Sequence, residues 1–94
     1  MIQSDTHTVI DTATAIAIPQ VTDAASGCHV EITNTDSTNS VRLGGSDITF
    51  AGGGRLVAAG ETWFSQTHIV GGDVLYAIAD TGVTVTLDLL WVNV

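Results

Sequence analysis

Short alternating segments, separated by glycine and small polar residues, restrict this chain to β-structure. The clearest example begins at residues 28–33, where Cys-His-Val-Glu-Ile-Thr alternates between two faces. The Asn, Thr, Asp and Ser residues that follow favour turns, because their short side chains hydrogen-bond nearby backbone groups. A second strand is predicted at residues 40–43, and Gly44-Gly45 then permits a reversal into residues 47–50. No segment shows helical periodicity, so a meander of antiparallel strands is predicted.

The last predicted strand is the longest, and its alternation fails in its second half. Its apolar side chains share one face: Val83, Val85, Leu87, Leu89 and Trp91. The opposite face begins with Thr84, Thr86 and Asp88 but becomes apolar at Leu90 and Val92. Because residues 89–92 are then apolar on both faces, we expect this end to be covered on both sides, on one of them by a partner chain.

Further short strands complete an all-β prediction. They lie at residues 6–10, 12–18, 55–57, 61–70 and 73–79, with Pro19 ending the second of them. The strand at 61–70 carries Trp63 on one face and Phe64 on the other, so it is predicted to be central in a sheet or covered by another subunit.

Seven to nine short strands predict an antiparallel β-sandwich or a jelly-roll-like barrel. Ninety-four residues correspond to a single domain spanning residues 1–94. Since the ends of small domains often fray or contact a neighbour, residues 1–12 are expected to form either the first strand or an extended arm.

The charge balance excludes two classes of partner. The chain has ten acidic residues, two arginines and no lysine, which gives a formal net charge of -8. Such a surface repels phosphate, so neither nucleic acid nor anionic lipid is an expected partner. No signal peptide and no apolar run of about 20 residues is visible, so a membrane is not expected either.

Composition favours protein partners. Hydrophobic residues make up 45% of the chain and charged residues only 13%. A small domain with this balance exposes apolar side chains, which are typical of surfaces that bind other proteins, and we expect a homo-oligomer.

Residues able to carry chemistry are scattered. The histidines at positions 7, 29 and 68 lack the paired spacing of a cupin-like metal site, although His29 and Glu31 share a strand face and leave a weak incidental site open. Cys28 has no partner for a disulfide and is predicted to be a buried structural thiol.

The acidic residues and serines also have structural explanations. Four aspartates stand beside Gly, Ser or Thr and are predicted to cap turns rather than bind calcium: Asp36, Asp47, Asp73 and Asp80. No glycine cluster resembles a phosphate loop, and no serine stands in a nucleophile motif. The sequence therefore predicts no catalytic, cofactor-binding or metal site.

The predicted functional residues belong to intermolecular contacts. Arg42 and Arg55 are the only cations other than histidine, and at least one is expected to reach a neighbouring chain. The full predicted contact set is Arg42, Arg55, Trp63, Phe64, Leu90, Trp91 and Val92. Trp63, Tyr76 and Trp91 are also candidates for stacking on a sugar ring, although core or interface packing is the favoured interpretation.

Four short signatures within residues 28–90 occur in a fixed order. They are the strand end Asn34-Thr35, the turn Leu43-Gly44-Gly45-Ser46-Asp47-Ile48-Thr49, the pair formed by Gly54-Arg55-Leu56 and Ala59-Gly60-Glu61, and the strand Leu75-Tyr76-Ala77-Ile78. This order resembles small virion proteins of tailed bacteriophages. Residues 1–27 match nothing in that pattern.

The resemblance implies a capsid decoration, or cement, protein without catalytic activity. Such a protein is a β-sandwich that is made in the host cytoplasm, binds the exterior of the phage head as a trimer and clamps subunits of the major capsid protein. The alternative is a tail or fibre accessory domain that binds host glycan through exposed aromatic residues. A third hypothesis, an enzyme of cupin-like fold, requires a bound metal.

Overall fold

The computed structural model describes residues 2–16, 28–65 and 74–93. They form eight strands, which are β1 (Ile2–Val9), β2 (Thr14–Ala15), β3 (Cys28–Asn34), β4 (Val41–Gly44), β5 (Arg55–Val57), β6 (Thr62–Phe64), β7 (Tyr76–Ala79) and β8 (Val85–Asn93). No helix occurs in these three ranges.

The strands form two four-stranded sheets. Sheet A has the order β1-β8-β3-β6, and sheet B has the order β2-β7-β4-β5. All of the neighbouring strands pair antiparallel. The predicted all-β antiparallel class is therefore confirmed, in the form of a small sandwich.

The core lies between the two sheets, and β8 contributes most to it. Val85, Leu87, Leu89 and Trp91 are all buried, as their alternation predicts. Sheet B supplies the opposite wall of the core with Val41, Leu43, Val57, Ala77 and Ala79. The alternation that the sequence shows on one face of β8 thus corresponds to the core face.

The amino-terminal segment is a strand of sheet A. Residues 2–9 pair with β8 along their whole length, from Ile2 opposite Val92 to Val9 opposite Val85. Val9 is fully buried in the core, which fixes the register of β1. Of the two expectations for the amino-terminal residues, a first strand or an extended arm, residues 2–9 show the first: they form an edge strand of sheet A.

Three predicted strands differ from the structure. β6 is an edge strand that pairs only with β3 within the described residues, so of the two predicted alternatives the central position is not found and coverage by another subunit stays a prediction. Residues 47–50 form no strand, because the chain turns at Gly45 and makes a single bridge from Thr49 to Gly52. The strand predicted at 12–18 is described only up to residue 16, and β2 covers two of those residues.

Several predictions fall outside the described part of the chain. They concern Pro19, residues 66–70 of the strand predicted at 61–70, His68, the turn at Gly71-Gly72, Asp73 and the side chain of Cys28.

A buried asparagine at the end of β3 connects the two sheets. Asn34 is fully buried, and its Nδ2 donates to the carbonyl oxygens of Val57 (3.1 Å) and Asn39 (2.8 Å). Its Oδ1 accepts from the backbone N–H of Asp36 at 2.9 Å. Since β3 belongs to sheet A and β5 to sheet B, one amide side chain fixes a sheet-to-sheet contact and the following turn.

Candidate interaction surface

The outer face of sheet A carries several apolar side chains at one end, on either side of His29 and Glu31 of β3. The strand register places Ile2 beside Val92, and Leu90 beside both Ser4 and Glu31. Glu31 in turn lies opposite Phe64 of β6. We call Ile2, Phe64, Leu90 and Val92 the apolar patch. Ile2 is 69% exposed, Phe64 59% and Val92 38%, while Leu90 is half-buried, so this end of the sheet is uncovered in the single chain.

The other end of the same face is polar and rich in threonine. Its members are Thr6, Thr8, Thr33, Thr35, Thr62, Thr86 and Asp88. An open groove of about 460 Å³ runs between the two ends and is lined by Ser4, Asp5, Glu31 and Asp88, among others. Three carboxylates at one groove repel anionic ligands, in line with the net charge of the chain.

The structure divides the predicted contact residues into three groups. Phe64, Leu90 and Val92 come together in the apolar patch. Trp91 is only 4% exposed and belongs to the core of the single chain, so it does not join the patch. Trp63 is half-buried and packs against the same core. Trp63 and Trp91 are not on the outer face because the strand pairing places them opposite Ile32 and Val30, whose side chains point into the core.

The sequence prediction missed Ile2 as a member of the patch. The first strand was predicted to begin at Thr6, although Ile2, Ser4, Thr6 and Thr8 share one alternating face. That period of two was the signal that places Ile2 on the outer side of sheet A.

Arg42 is held inside its own chain. Its Nε donates to the Phe50 carbonyl oxygen at 2.9 Å, and its Nη1 donates to that of Gly53 at 3.2 Å. The guanidinium therefore fixes the 44–54 loop, which follows β4. Arg55, by contrast, is exposed at the start of β5. The prediction that an arginine reaches a neighbouring chain thus rests on Arg55.

The glycines of the recurring signatures hold this loop close to the sheet. A Cβ on Gly44 would overlap the Ile48 side chain, and a Cβ on Gly54 would overlap the Leu43 carbonyl oxygen. Gly54 also has a φ of 63°, in the left-handed region. The second and third signatures are thus complementary parts of one compact structure.

A second turn explains the Ala-Gly-Glu signature. The Glu61 N–H donates to the Ala58 carbonyl oxygen at 2.9 Å, and Gly60 has a φ of 78° at the third position of the turn. The Glu61 Oε1 accepts from the Ala58 N–H at 2.8 Å. Gly60 and Glu61 of this signature therefore have structural roles in their own chain.

Asp36 caps a turn, as predicted. Its Oδ1 accepts from the backbone N–H groups of Thr38 and Asn39, both at 2.8 Å. These hydrogen bonds hold the pKa of the Asp36 carboxyl below its ordinary value. Asp80 likewise accepts from the Thr81 N–H at 2.7 Å.

His7 faces inward from β1 and is partly buried. Its Nε2 is buried and has no hydrogen-bond partner among the described residues. Burial lowers the pKa of His7, and the nearby negative charge of Asp5 opposes that shift. A neutral imidazole is therefore favoured in the folded chain.

The remaining candidate chemistry is structural. Ser65 is buried, and its Oγ accepts from the Val30 N–H at 2.8 Å, which ties the end of β6 to β3. Within residues 2–16, 28–65 and 74–93, no three His, Cys, Asp or Glu side chains are grouped so that they could hold a metal ion.

No protein-family model, curated protein or solved structure matches this chain. Across the same described residues, no helix has the length and apolar character needed to cross a membrane.

Proposed function

We propose that this protein is a non-enzymatic structural component of a tailed-phage virion, a decoration protein that binds the exterior of the head and stabilises it. The observation that carries the proposal is the apolar patch on sheet A. The described residues already form a core between the two sheets, yet Ile2 and Phe64 remain largely exposed at the same end of sheet A as Leu90 and Val92. Uncovered apolar side chains grouped in this way are typical of a surface that binds another protein.

The polar groups of the chain support a binding role rather than catalysis. Asp36, Glu61 and Ser65 each hydrogen-bond to backbone groups of their own chain. The order of the turn signatures supports the virion context, because it resembles small phage virion proteins.

A decoration protein would act through the sum of many weak contacts. Any protein that binds only the assembled shell stabilises that shell by its binding free energy. When many identical copies bind a symmetric lattice, their binding free energies add, so the affinity of each single interface can be modest. The net charge of -8 would keep a densely coated particle soluble and would discourage contact with the genome.

The partners in this proposal are the major capsid protein and further copies of the chain. A trimer at three-fold positions is what the resemblance implies, with Arg55 as the exposed cation available to an acidic neighbour.

The glycan-binding alternative is the weaker proposal on geometric grounds. It needs exposed aromatic rings, but Trp91 lies in the core and Trp63 packs against it. Of the described aromatic residues, Phe64 alone is highly exposed.

Binding to empty heads tests the proposal. The probe is the shell assembled from the major capsid protein encoded by the same genome, and the measurement is co-sedimentation over a range of decoration-protein concentrations. Replacing Phe64 and Val92 together by Ser should weaken binding about tenfold or more, since each buried apolar side chain contributes on the order of 1.5 kcal/mol.

Leu56→Ser is the matched control. Leu56 is 45% exposed on sheet B, away from the apolar patch, so its replacement should leave binding unchanged. The proposal is wrong if the unaltered chain does not co-sediment with shells at any concentration. It is also wrong if Leu56→Ser weakens binding as much as the double replacement of Phe64 and Val92.

A further inference from the structure

The outer edge of β1 is long and has no partner strand within the described residues. β1 contains eight residues, whereas the other edge strands, β2, β5 and β6, contain two or three. A long exposed edge presents a row of N–H and C=O groups that readily pair with another strand. Natural proteins usually shorten or block such edges, so β1 requires an explanation.

Hydrogen bonding shows which residues point their backbone groups outward. The Thr6 N–H donates to the Asp5 Oδ1 at 2.8 Å. It points away from β8, because the Thr86 carbonyl oxygen accepts from the Thr35 N–H at the end of β3, so Thr86 and Asp88 face β3, and Thr6, which lies opposite Asp88, faces the outer edge. Because backbone groups alternate along a strand, Ser4 and Thr8 also present theirs to this edge.

The sequence of this edge is nearly symmetric about Thr6. It runs Ile2-Gln3-Ser4-Asp5-Thr6-His7-Thr8-Val9-Ile10. Isoleucines stand four residues to either side of Thr6, hydroxyl residues stand two to either side, and an acid and a histidine stand next to it. Both isoleucines are exposed, Ile2 at 69% and Ile10 at 42%.

We propose that β1 pairs antiparallel with β1 of a second copy around a two-fold axis at Thr6, which joins the two A sheets into one continuous sheet. Thr6 then lies opposite its own counterpart, and Ser4 lies opposite Thr8 of the second copy. At both ends, Ile2 lies beyond the last paired residue of β1, near Ile10 of the second copy, which follows that strand and whose carbonyl oxygen accepts from the Ala79 N–H of sheet B. Asp5 lies opposite His7 of the second copy, an opposite-charge pair when the histidine is protonated.

The neighbouring registers are poorer. An axis at Asp5 places two carboxylates directly opposite each other, which destabilises an antiparallel pair. An axis at His7 or Ser4 shortens the overlap and separates the isoleucines. The registers at Thr6 and at Asp5 both pair seven residues of β1, and of these two only the Thr6 register opposes no like charges. The local hydrogen bond from Thr6 to Asp5 is exchanged for backbone hydrogen bonds between copies.

This contact goes beyond the proposed attachment to a capsid. It needs no shell, and it uses the edge of sheet A, whereas the apolar patch lies on its face. A two-fold contact gives dimers, which differ in mass from the trimer implied by the resemblance. The β1 contact depends on backbone groups of the strand edge and the patch on side chains of the face, and Ile2 is the one residue that belongs to both.

A cysteine at the axis tests the register directly. In a Cys28→Ser background, Thr6→Cys places two thiols in a directly opposed pair whose Cα atoms are about 5.5 Å apart, within the range of a disulfide. The matched control is Ser4→Cys, which is equally exposed on β1 but faces Thr8 of the second copy. Under mild oxidation, the Thr6→Cys chain should form a covalent dimer at least tenfold faster than the control. Equal rates, or no dimer from either variant, overturn the proposal.

Proline at the same position tests the backbone contact. The Thr6 N–H makes no bond to β8, so Thr6→Pro keeps the ladder within the chain while it removes an outward donor. Sedimentation equilibrium of the unaltered chain should show a reversible dimer of twice 9.7 kDa. Thr6→Pro should weaken this dimer about tenfold or more, as expected from the loss of two backbone hydrogen bonds.

The outcomes separate this inference from the proposed function. All of these measurements are made without shells, so a chain that binds heads but stays monomeric in solution refutes the β1 pairing alone. A chain that dimerises through Thr6 but ignores heads refutes the decoration role alone. If Thr6→Pro is unfolded by circular dichroism, the cysteine pair still decides the outcome.

Discussion

At the scale of single residues, Asn34 is the polar side chain on which the sandwich most depends. It is one of two polar residues buried in the described chain, and three of its hydrogen bonds end on backbone groups. The sequence predicted a strand end at this position, because Asn favours turns. It did not predict the contact with Val57, since that contact depends on how the two sheets are stacked.

Asn34→Ala is expected to lower the free energy of unfolding by about 2 to 4 kcal/mol, because it leaves the buried Val57 carbonyl and its neighbours without partners. The measurement is urea denaturation. Asn39→Ala is the control, since the Asn39 side chain makes only a 3.4 Å contact with Asp36. A loss below 1 kcal/mol for Asn34→Ala, or an equal loss for both variants, would contradict this role.

His7 gives the chain a pH-dependent stability. Its pKa is lowered in the folded chain by burial, so below about pH 6.5 the unfolded chain binds more protons than the folded chain. The stability contributed by the neutral imidazole is therefore present above that pH and is lost as the pH falls through and below it. The urea midpoint should decrease from pH 7.5 to pH 5.5, and His7→Gln should reduce that decrease. The same pH dependence in both proteins would show that His7 is not responsible.

At the scale of elements, the strands were easier to predict than the loops between them. β3, β4 and β8 follow from alternation, since each has an apolar face in the core. The conformation of the 44–54 loop does not follow from alternation, because it depends on hydrogen bonds from the Arg42 side chain of β4 to the carbonyl oxygens of Phe50 and Gly53. Arg42 was therefore predicted to contact a neighbouring subunit although it binds its own loop. A central position was one of the two predictions for β6, because a short edge strand with one inward tryptophan has the same local pattern as a central strand.

The glycines of this loop allow a matched test of close packing. Gly53 and Gly54 both have positive φ, but only a Cβ on Gly54 would meet the Leu43 carbonyl. Gly53→Ala should cost about 1 kcal/mol for the left-handed backbone alone. Gly54→Ala should cost clearly more, because backbone atoms must move apart, and thermal denaturation measures both. Equal losses would mean that the loop does not depend on this close approach.

At the scale of the whole molecule, an apolar patch and a long free edge coexist with a strong negative charge. The composition predicted the charge and the exposed apolar groups, since 45% hydrophobic residues in a chain of this size leave apolar groups on the surface, but it did not predict the β1 edge. It did not predict where those groups lie. The patch combines Ile2, Phe64, Leu90 and Val92 from three strands of sheet A, and β3 separates β8 from β6 so that Glu31 lies between Leu90 and Phe64. Alternation along a strand predicts which face of the sheet a side chain lies on. Which side chains lie close together on that face depends on the order of the strands, which the sequence does not show.

The charge of the molecule makes a last prediction about its self-association. Two copies that each carry a net charge of -8 repel one another, and the proposed β1 contact must form against that repulsion. Raising the ionic strength from about 0.01 M to about 0.15 M shortens the screening length from about 30 Å to about 8 Å. The dimer should therefore become tighter with added NaCl, as measured by sedimentation equilibrium at pH 7.5, where His7 is neutral and the Asp5–His7 pair adds little. A dimer that instead weakens with salt would be held by ion pairs, and hydrogen bonding along β1 would then not be its main source of affinity.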